Sequence, residues 1–311
     1  MTTDSAVTNW NVERLPDLSG RTYFITGANS GLGYECADHL RRKNANVILG
    51  ARSLDKGQAA STKLGRIDGN GSIDLVQIDL ADTASIRAAD VALREVTDGL
   101  DAVVNNAGVM QTPQLETADG FELQFGTNHL GHFLLNQLVF DLVAARSGRI
   151  VPVSSLAHLR SRAIQFDDIM YSANYSATYV YGQSKLANLM YGLELSRRLE
   201  AAGSEVQSIS CHPGYSATNL QSTGPTGLFK LIYKVSNLLV AQSAASGAAP
   251  LALAAAGTEA RNGAYYGPTQ MGDTRGSIGD STIADKARDL TAAARLWEVS
   301  EDLLGIEFKI T

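Results

Sequence analysis

The sequence predicts an α/β fold: one doubly wound parallel sheet of about seven strands with helices on both faces, in a single domain. Three observations predict it. Short β-rich apolar runs alternate with helical patterns along the chain, which is how parallel strands joined by crossover helices read. The first of these runs passes through a glycine-rich turn directly into a helix. At 311 residues with 44% hydrophobic content the chain can bury a large core, and no internal repeat appears beyond the βα alternation.

The polar, acid-containing stretch 1–18 is expected to be a flexible arm before a domain over 19–311. Arg21–Thr26 is the first strand, and Gly27-Ala-Asn29-Ser30-Gly31-Leu32-Gly33 leads from it into a helix beginning near Tyr34. Glycines allow φ > 0 and close approach, and the N–H groups and dipole of the following helix attract a pyrophosphate. Asn46–Ala51 is the second strand, and it ends at Arg52, about 20 residues past the glycines, where a dinucleotide's adenosine ribose would lie. A guanidinium there suits a 2′-phosphate, so Arg52 favours NADP(H), with NAD(H) possible; a solvated surface arginine is the alternative. The third strand, Ile73–Leu80, ends in Asp79, which could accept from an adenine amino group or serve as a turn aspartate, as Asp82 could.

The fourth strand, Leu100–Asn105, runs into Asn106-Ala107-Gly108, poor core material that points to binding at the carboxyl edge of the sheet. A fifth strand leads through Gly148-Arg-Ile-Val-Pro-Val to Ser154-Ser155. Tyr181 and Lys185 stand four apart and share one face of the helix that follows. A tyrosine pKa near ~10 is unsuited to neutral acid–base work, but a nearby cation lowers it. Cys211 lies near the end of a further strand, followed by Pro213-Gly214. Ser243–Ala256 reads as a tightly packed small-residue helix, Asn262–Gly267 as a last short strand, and Ala284–Leu304 as a closing amphipathic helix with Trp297 on its apolar side.

Taken in this order and spacing, Thr26-Gly-Ala-Asn-Ser-Gly-Leu-Gly33, Asn105-Asn-Ala-Gly108, Ser154-Ser155, Tyr181-Gly-Gln-Ser-Lys185 and Pro213-Gly214 resemble the short-chain dehydrogenase/reductase family. Thr127-Asn-His-Leu-Gly-His-Phe and Tyr181-Gly-Gln-Ser-Lys-Leu-Ala-Asn resemble its retinol-dehydrogenase-like branch and bacterial relatives. The resemblance implies a Rossmann-type fold and an NADP(H)-dependent oxidoreductase working on an apolar ketone, aldehyde or secondary alcohol. It implies Tyr181 as general acid/base, Ser155 as the polariser of the carbonyl, Lys185 as ribose ligand and pKa tuner, and Asn128 in a proton relay. Pro213, Gly214, Ser216 and Thr218 match positions that contact the nicotinamide. Pro152 departs from the family's usual Asn and puts a local strand-to-strand hydrogen bond in doubt.

The segment 219–245 matches the family's substrate-covering part, and Leu228, Phe229 and Ile232 suggest an apolar lid, with packing against the body or another subunit as the alternative. The helices after Asn128 and Tyr179 resemble those that pair between subunits in this family, so a homo-oligomer is expected. An NAD(H)-dependent alcohol dehydrogenase and a catalytically silent dinucleotide sensor are the alternative readings.

A net charge of −6 without a basic cluster argues against nucleic acid or an anionic membrane as partner. Leu228–Val240, the most apolar stretch, contains Lys230 and Lys234 and is shorter than the ~20 residues of a span. With no targeting signal in residues 1–17 and two cysteines, Cys36 and Cys211, that read as reduced, a cytoplasmic enzyme is expected. No metal is expected, since no Cys or acid cluster completes a site beside His129 and His132.

Overall fold

The computed structural model describes residues 6–215 and 243–310. Its strands are β1 (Thr22–Thr26), β2 (Asn46–Ala51), β3 (Ile73–Gln77), β4 (Ala102–Asn105), β5 (Arg149–Pro152), β6 (Gln207–Ser208), β7 (Ser210–Cys211), β8 (Tyr265–Gln270) and β9 (Arg275–Asp280). The first six form a parallel sheet in the order β3-β2-β1-β4-β5-β6. Ile209 alone separates β6 from β7, which pairs in parallel with β8 and is bridged to the end of β5 through Val153 and Cys211. Counting β6 and β7 as one strand, the parallel set has the expected seven members. The antiparallel β9 is an addition the sequence did not announce.

Strand alternation divides the core. Tyr23, Ile25, Val47, Leu49, Val104 and Val151 face one cluster, while Phe24, Ile48, Val103 and Ile150 face the other. On the first face pack α1 (Gly31–Arg41), α2 (Leu54–Leu64) and the helix Ala244–Ala256, called α9 below. On the second lie α3 (Thr83–Val96), α4 (Leu123–Phe125), a π-helical turn at Gly126–Leu130, α5 (Gly131–Leu138), α6 (Phe140–Ala144) and α8 (Ala177–Ala202), with the short α7 (Ala157–Arg160) before it.

A further layer covers this second face. The helix α10 (Leu290–Leu304) lies over the outward sides of α5 and α8. Trp297 stacks on Tyr191 with ring centroids 5.7 Å apart and meets Phe133 edge-on at 5.0 Å. Phe308 closes the cluster against Phe133 and Phe140. The helices that the sequence offered for pairing between subunits are therefore covered by the chain's own C-terminal helix.

Residues 7–18, expected to be a flexible arm, are instead packed. Trp10 donates its backbone N–H to the Ile278 carbonyl of β9 at 2.9 Å, and Val7, Trp10, Leu15 and Leu18 are buried. The cause is burial of apolar side chains with no periodic spacing, against a β9 edge that the sequence reading did not include. No helix among the described residues is long and apolar enough to cross a membrane.

Candidate active site

The sequence-marked residues in described regions converge on the carboxyl edge of the sheet, just past the ends of β1 through β5 and β7, where open α/β sheets bind ligands. Gly27 has φ +67°, and a Cβ there would stand 3.0 Å from the Cα and Cβ of Ala107. At Gly33 a Cβ would meet the Asn106 Nδ2 and the Gly27 carbonyl at 2.6 Å. The turn thus closes on the Asn106-Ala107-Gly108 segment only because these positions lack side chains. Gly31, at φ +58°, opens on free space.

The N-cap of α1, Ser30, makes no side-chain capping bond, whereas Ser53, Asp82, Ser243 and Asp289 cap α2, α3, α9 and α10. Asn29, Ser30 and Gly31 are half-buried and Leu32 anchors the turn in the core. An uncapped helix start behind a glycine turn fits a pyrophosphate. Arg52 is exposed at the end of β2, and its guanidinium has no partner among the described residues. Asp79 spends one carboxylate oxygen on the Ala81 N–H at 3.0 Å, and Asp82 takes the capping role of α3. Leu80 is buried beside Gly131. Asn105 is 1% exposed with neither amide atom bonded among the described residues.

The catalytic candidates lie beside this cradle. Asn128 sits within the π-helical turn, fully buried. Its Oδ1 accepts from the Val109 N–H at 2.8 Å, and its Nδ2 donates to the Val109 carbonyl and the Ser184 hydroxyl at 2.9 Å. A Cβ on Gly108 would come within 2.7 Å of that Oδ1 and 3.7 Å of the Lys185 Nζ. Lys185 is buried, donates to the Val153 carbonyl at 3.0 Å, and burial pushes its pKa down to about 8.

Adjacent hydroxyls separate cleanly. Ser154 is buried and donates to the Lys185 carbonyl at 2.7 Å, a structural bond that anchors α8 to the end of β5. Ser155 is half-buried, and its Oγ accepts only from the Ala157 N–H at 3.2 Å among the described residues. Tyr181, one turn before Lys185, is half-buried. The next residue, Gly182, lets α7 approach α8, since a Cβ there would stand 3.1 Å from Ser161 Cβ. Pro213 and the φ +67° Gly214 are half-buried beyond β7. Ser216, Thr218, Leu228, Phe229 and Ile232 lie outside the described residues, as does most of the 219–245 segment.

Three polar residues of this edge escaped the sequence reading as members of the site. Thr26 Oγ1 accepts from the Asn106 and Ala107 N–H groups, both at 3.0 Å, and lies 2.9 Å from His132 Nε2. His132 Nδ1 is 3.0 Å from the Asn128 carbonyl. His212 Nδ1 accepts from the Gly214 N–H at 3.1 Å, and its Nε2 is 2.7 Å from the Ser281 hydroxyl. Burial pushes both histidines down to about 3, so they are neutral. A His directly before Pro-Gly, and one four residues after Asn128, were the signals available. No group of three or more His, Cys, Asp or Glu side chains able to hold a metal occurs among the described residues.

Residues 21–227 match the family described as short chain dehydrogenase. Retinol dehydrogenase 11 of Mus musculus is 36% identical over 292 residues, 93% of this chain and 88% of that protein. Retinol dehydrogenase 13 of Homo sapiens is 36% identical over 299 residues, 93% of this chain and 86% of that protein. A crystal structure of an uncharacterized protein from Mycobacterium Paratuberculosis superposes with a TM-score of 0.80 at 37% identity, covering 97% of this chain and all of the other (100%).

Proposed function

The chain belongs to the short-chain dehydrogenase family, in its retinol-dehydrogenase-like part, and on that premise we propose that it is an NADP(H)-dependent oxidoreductase of apolar ketones, aldehydes and secondary alcohols. The family supports oxidation and reduction at a CH–OH carbon with a nicotinamide dinucleotide, which when bound supplies or takes the hydride. The NADP(H) preference is supported by the exposed Arg52 at the end of β2, whose guanidinium has no partner among the described residues. The apolar substrate is supported by relatives named as retinol dehydrogenases.

One observation carries the reading: a buried ammonium, Lys185, stands one helical turn from Tyr181 and on the same helix face, with a Ser155 hydroxyl after β5 whose hydrogen has no acceptor among the described residues. Ser155 holds the substrate oxygen by hydrogen bonding, and Tyr181 gives or takes its proton. Lys185 favours the phenolate by its charge, and its two remaining N–H donors serve the ribose hydroxyls. Asn128 fixes the backbone of Val109 and lies next to Lys185 across Gly108, which suits it to a relay that returns the proton to solvent. Gly27, Asn29, Ser30, Gly31, Leu32, Gly33, Asp79, Leu80, Asn106, Ala107, Gly108, Pro213 and Gly214 line the remainder of the dinucleotide's place.

The test is a panel of retinoid, steroid, fatty and short polar carbonyls and alcohols, followed by absorbance of the reduced cofactor with both dinucleotides. Turnover of apolar members with NADP(H), shifted toward NAD(H) by Arg52→Asp, is expected. Absence of turnover across the panel while NADPH binds would contradict the reading.

A further inference from the structure

Two hydrogen bonds place His132 between groups that the proposed reaction needs but that lie far apart in sequence. Its Nδ1 faces the Asn128 carbonyl at 3.0 Å, and a carbonyl only accepts, so Nδ1 carries hydrogen. Its Nε2 faces the Thr26 hydroxyl at 2.9 Å. That oxygen already accepts from the Asn106 and Ala107 N–H groups, which fill its two lone pairs. What remains is its hydrogen, for which Nε2 is nearer than the Val104 carbonyl at 3.3 Å. Thr26 therefore donates, Nε2 accepts, and a doubly protonated ring has no place for its second proton. The ring is 3% exposed, and the ionisable groups bearing on it are Lys185 and His129.

We infer that His132 is a positioning residue: held as the Nδ1–H tautomer, it ties the Thr26 end of the glycine-turn strand to the Asn128 carbonyl, so that turn, Asn106-Ala107 backbone and relay asparagine form one rigid unit. The inference rests on the reading of Asn128 as a relay in the proposed reaction. A single link spans residues 26 and 132, and Asn128 in turn holds Val109. Loosening the link lets Asn128 shift relative to Lys185, and a displacement of about 1 Å in such a site costs about 100-fold in rate.

The experiment compares His132→Phe, which removes both bonds, with His132→Asn, whose Nδ2 can still donate to the Asn128 carbonyl. With the best substrate of the panel, His132→Phe is expected to lower kcat by about 10- to 100-fold with NADPH Kd changed by less than about threefold, and His132→Asn, which keeps the Asn128 bond but loses the link to Thr26, to stay within about threefold of His132→Phe. Thr26→Val, which also leaves the Asn106 and Ala107 N–H groups without their acceptor, should lower kcat at least as far as His132→Phe, and Thr26→Ser should behave as wild type, which keeps the test open where a histidine variant folds poorly. Independently of turnover, ¹⁵N NMR of histidine-labelled cofactor-free protein should show His132 as the Nδ1–H tautomer, without titration between pH 5 and 8. An Nε2–H tautomer, a titrating ring, or equal kcat in His132→Phe and wild type would overturn the inference. So would a His132→Asn kcat within about threefold of wild type. Failure of the functional reading itself is distinguishable, because wild-type protein would then turn over no panel member whatever the tautomer.

Discussion

Two histidines three residues apart divide the molecule into regions of different design. His132 points to the sheet edge, where Thr26, Asn128 and Lys185 are buried polar groups held by hydrogen bonds. His129 points outward to the Ser300 hydroxyl at 2.9 Å, among Phe125, Phe133 and Tyr191 beneath α10. The inner region is specific through geometry, since directed hydrogen bonds tie Thr26, His132, Asn128 and Lys185 to particular backbone and side-chain partners. The outer region is specific through volume and area, since rings of Trp297, Tyr191, Phe133 and Phe308 fill it. Damage to the first should appear in rates or cofactor affinity, with or without a loss of stability, and damage to the second in stability alone.

The largest expected effect tests the outer region. Trp297→Ala removes a ring that is 2% exposed and should cost about 3–5 kcal/mol in urea unfolding, with NADPH affinity of the folded fraction within about threefold. A fall in affinity at unchanged stability would reverse the division. Removal of residues beyond Asp289 should also raise the tendency to associate in sedimentation relative to the full chain, because Tyr191 and Phe133 lose their cover; no increase would contradict this.

Next comes the inner cation. Lys185 has its pKa lowered from 10.5 to about 8 by burial. Between those values the unfolded chain binds a proton that the folded chain does not, so this residue's contribution to stability rises as pH climbs from about 8 to 10.5. Below pH 8 the folded state carries the whole cost of burying the charge. The stability difference between wild type and Lys185→Met should change by something on the order of 3 kcal/mol across that window. A difference independent of pH would show that the ammonium is hydrated. Smaller still, Gly33→Ala should cost about 1–3 kcal/mol by crowding Asn106 and the Gly27 carbonyl, and should weaken NADPH binding as the turn opens. An unchanged Kd would mean that the turn does not hold the cofactor.

The inner region was the more legible in sequence because its groups follow strand ends. Gly27–Gly33, Arg52, Asp79, Asn106–Gly108 and Ser154-Ser155 each succeed an apolar run, so alternation alone brings them to one edge. The choice of Ser155 over Ser154 came from the family resemblance, to which the structure adds that Ser154 donates to the Lys185 carbonyl. The π-helical turn at Asn128 has no local signature, and His132 could be assigned only once Thr26, 106 residues away, was known to face it. The outer region was legible only as parts. Trp297 was marked as apolar, but the surface it covers is set by partners such as Tyr191 that are distant in sequence. Val7, Trp10, Leu15 and Leu18 pack without any period and read as a polar arm for the same reason.

The central claim is that Tyr181, beside the buried ammonium of Lys185, moves the proton of a CH–OH/C=O interconversion. The direct measurement is turnover and NADPH binding of Tyr181→Phe on the best panel substrate. Loss of the general acid should lower kcat by about 100- to 10,000-fold, with NADPH Kd changed by less than about threefold. Turnover within a few-fold of wild type would contradict the account.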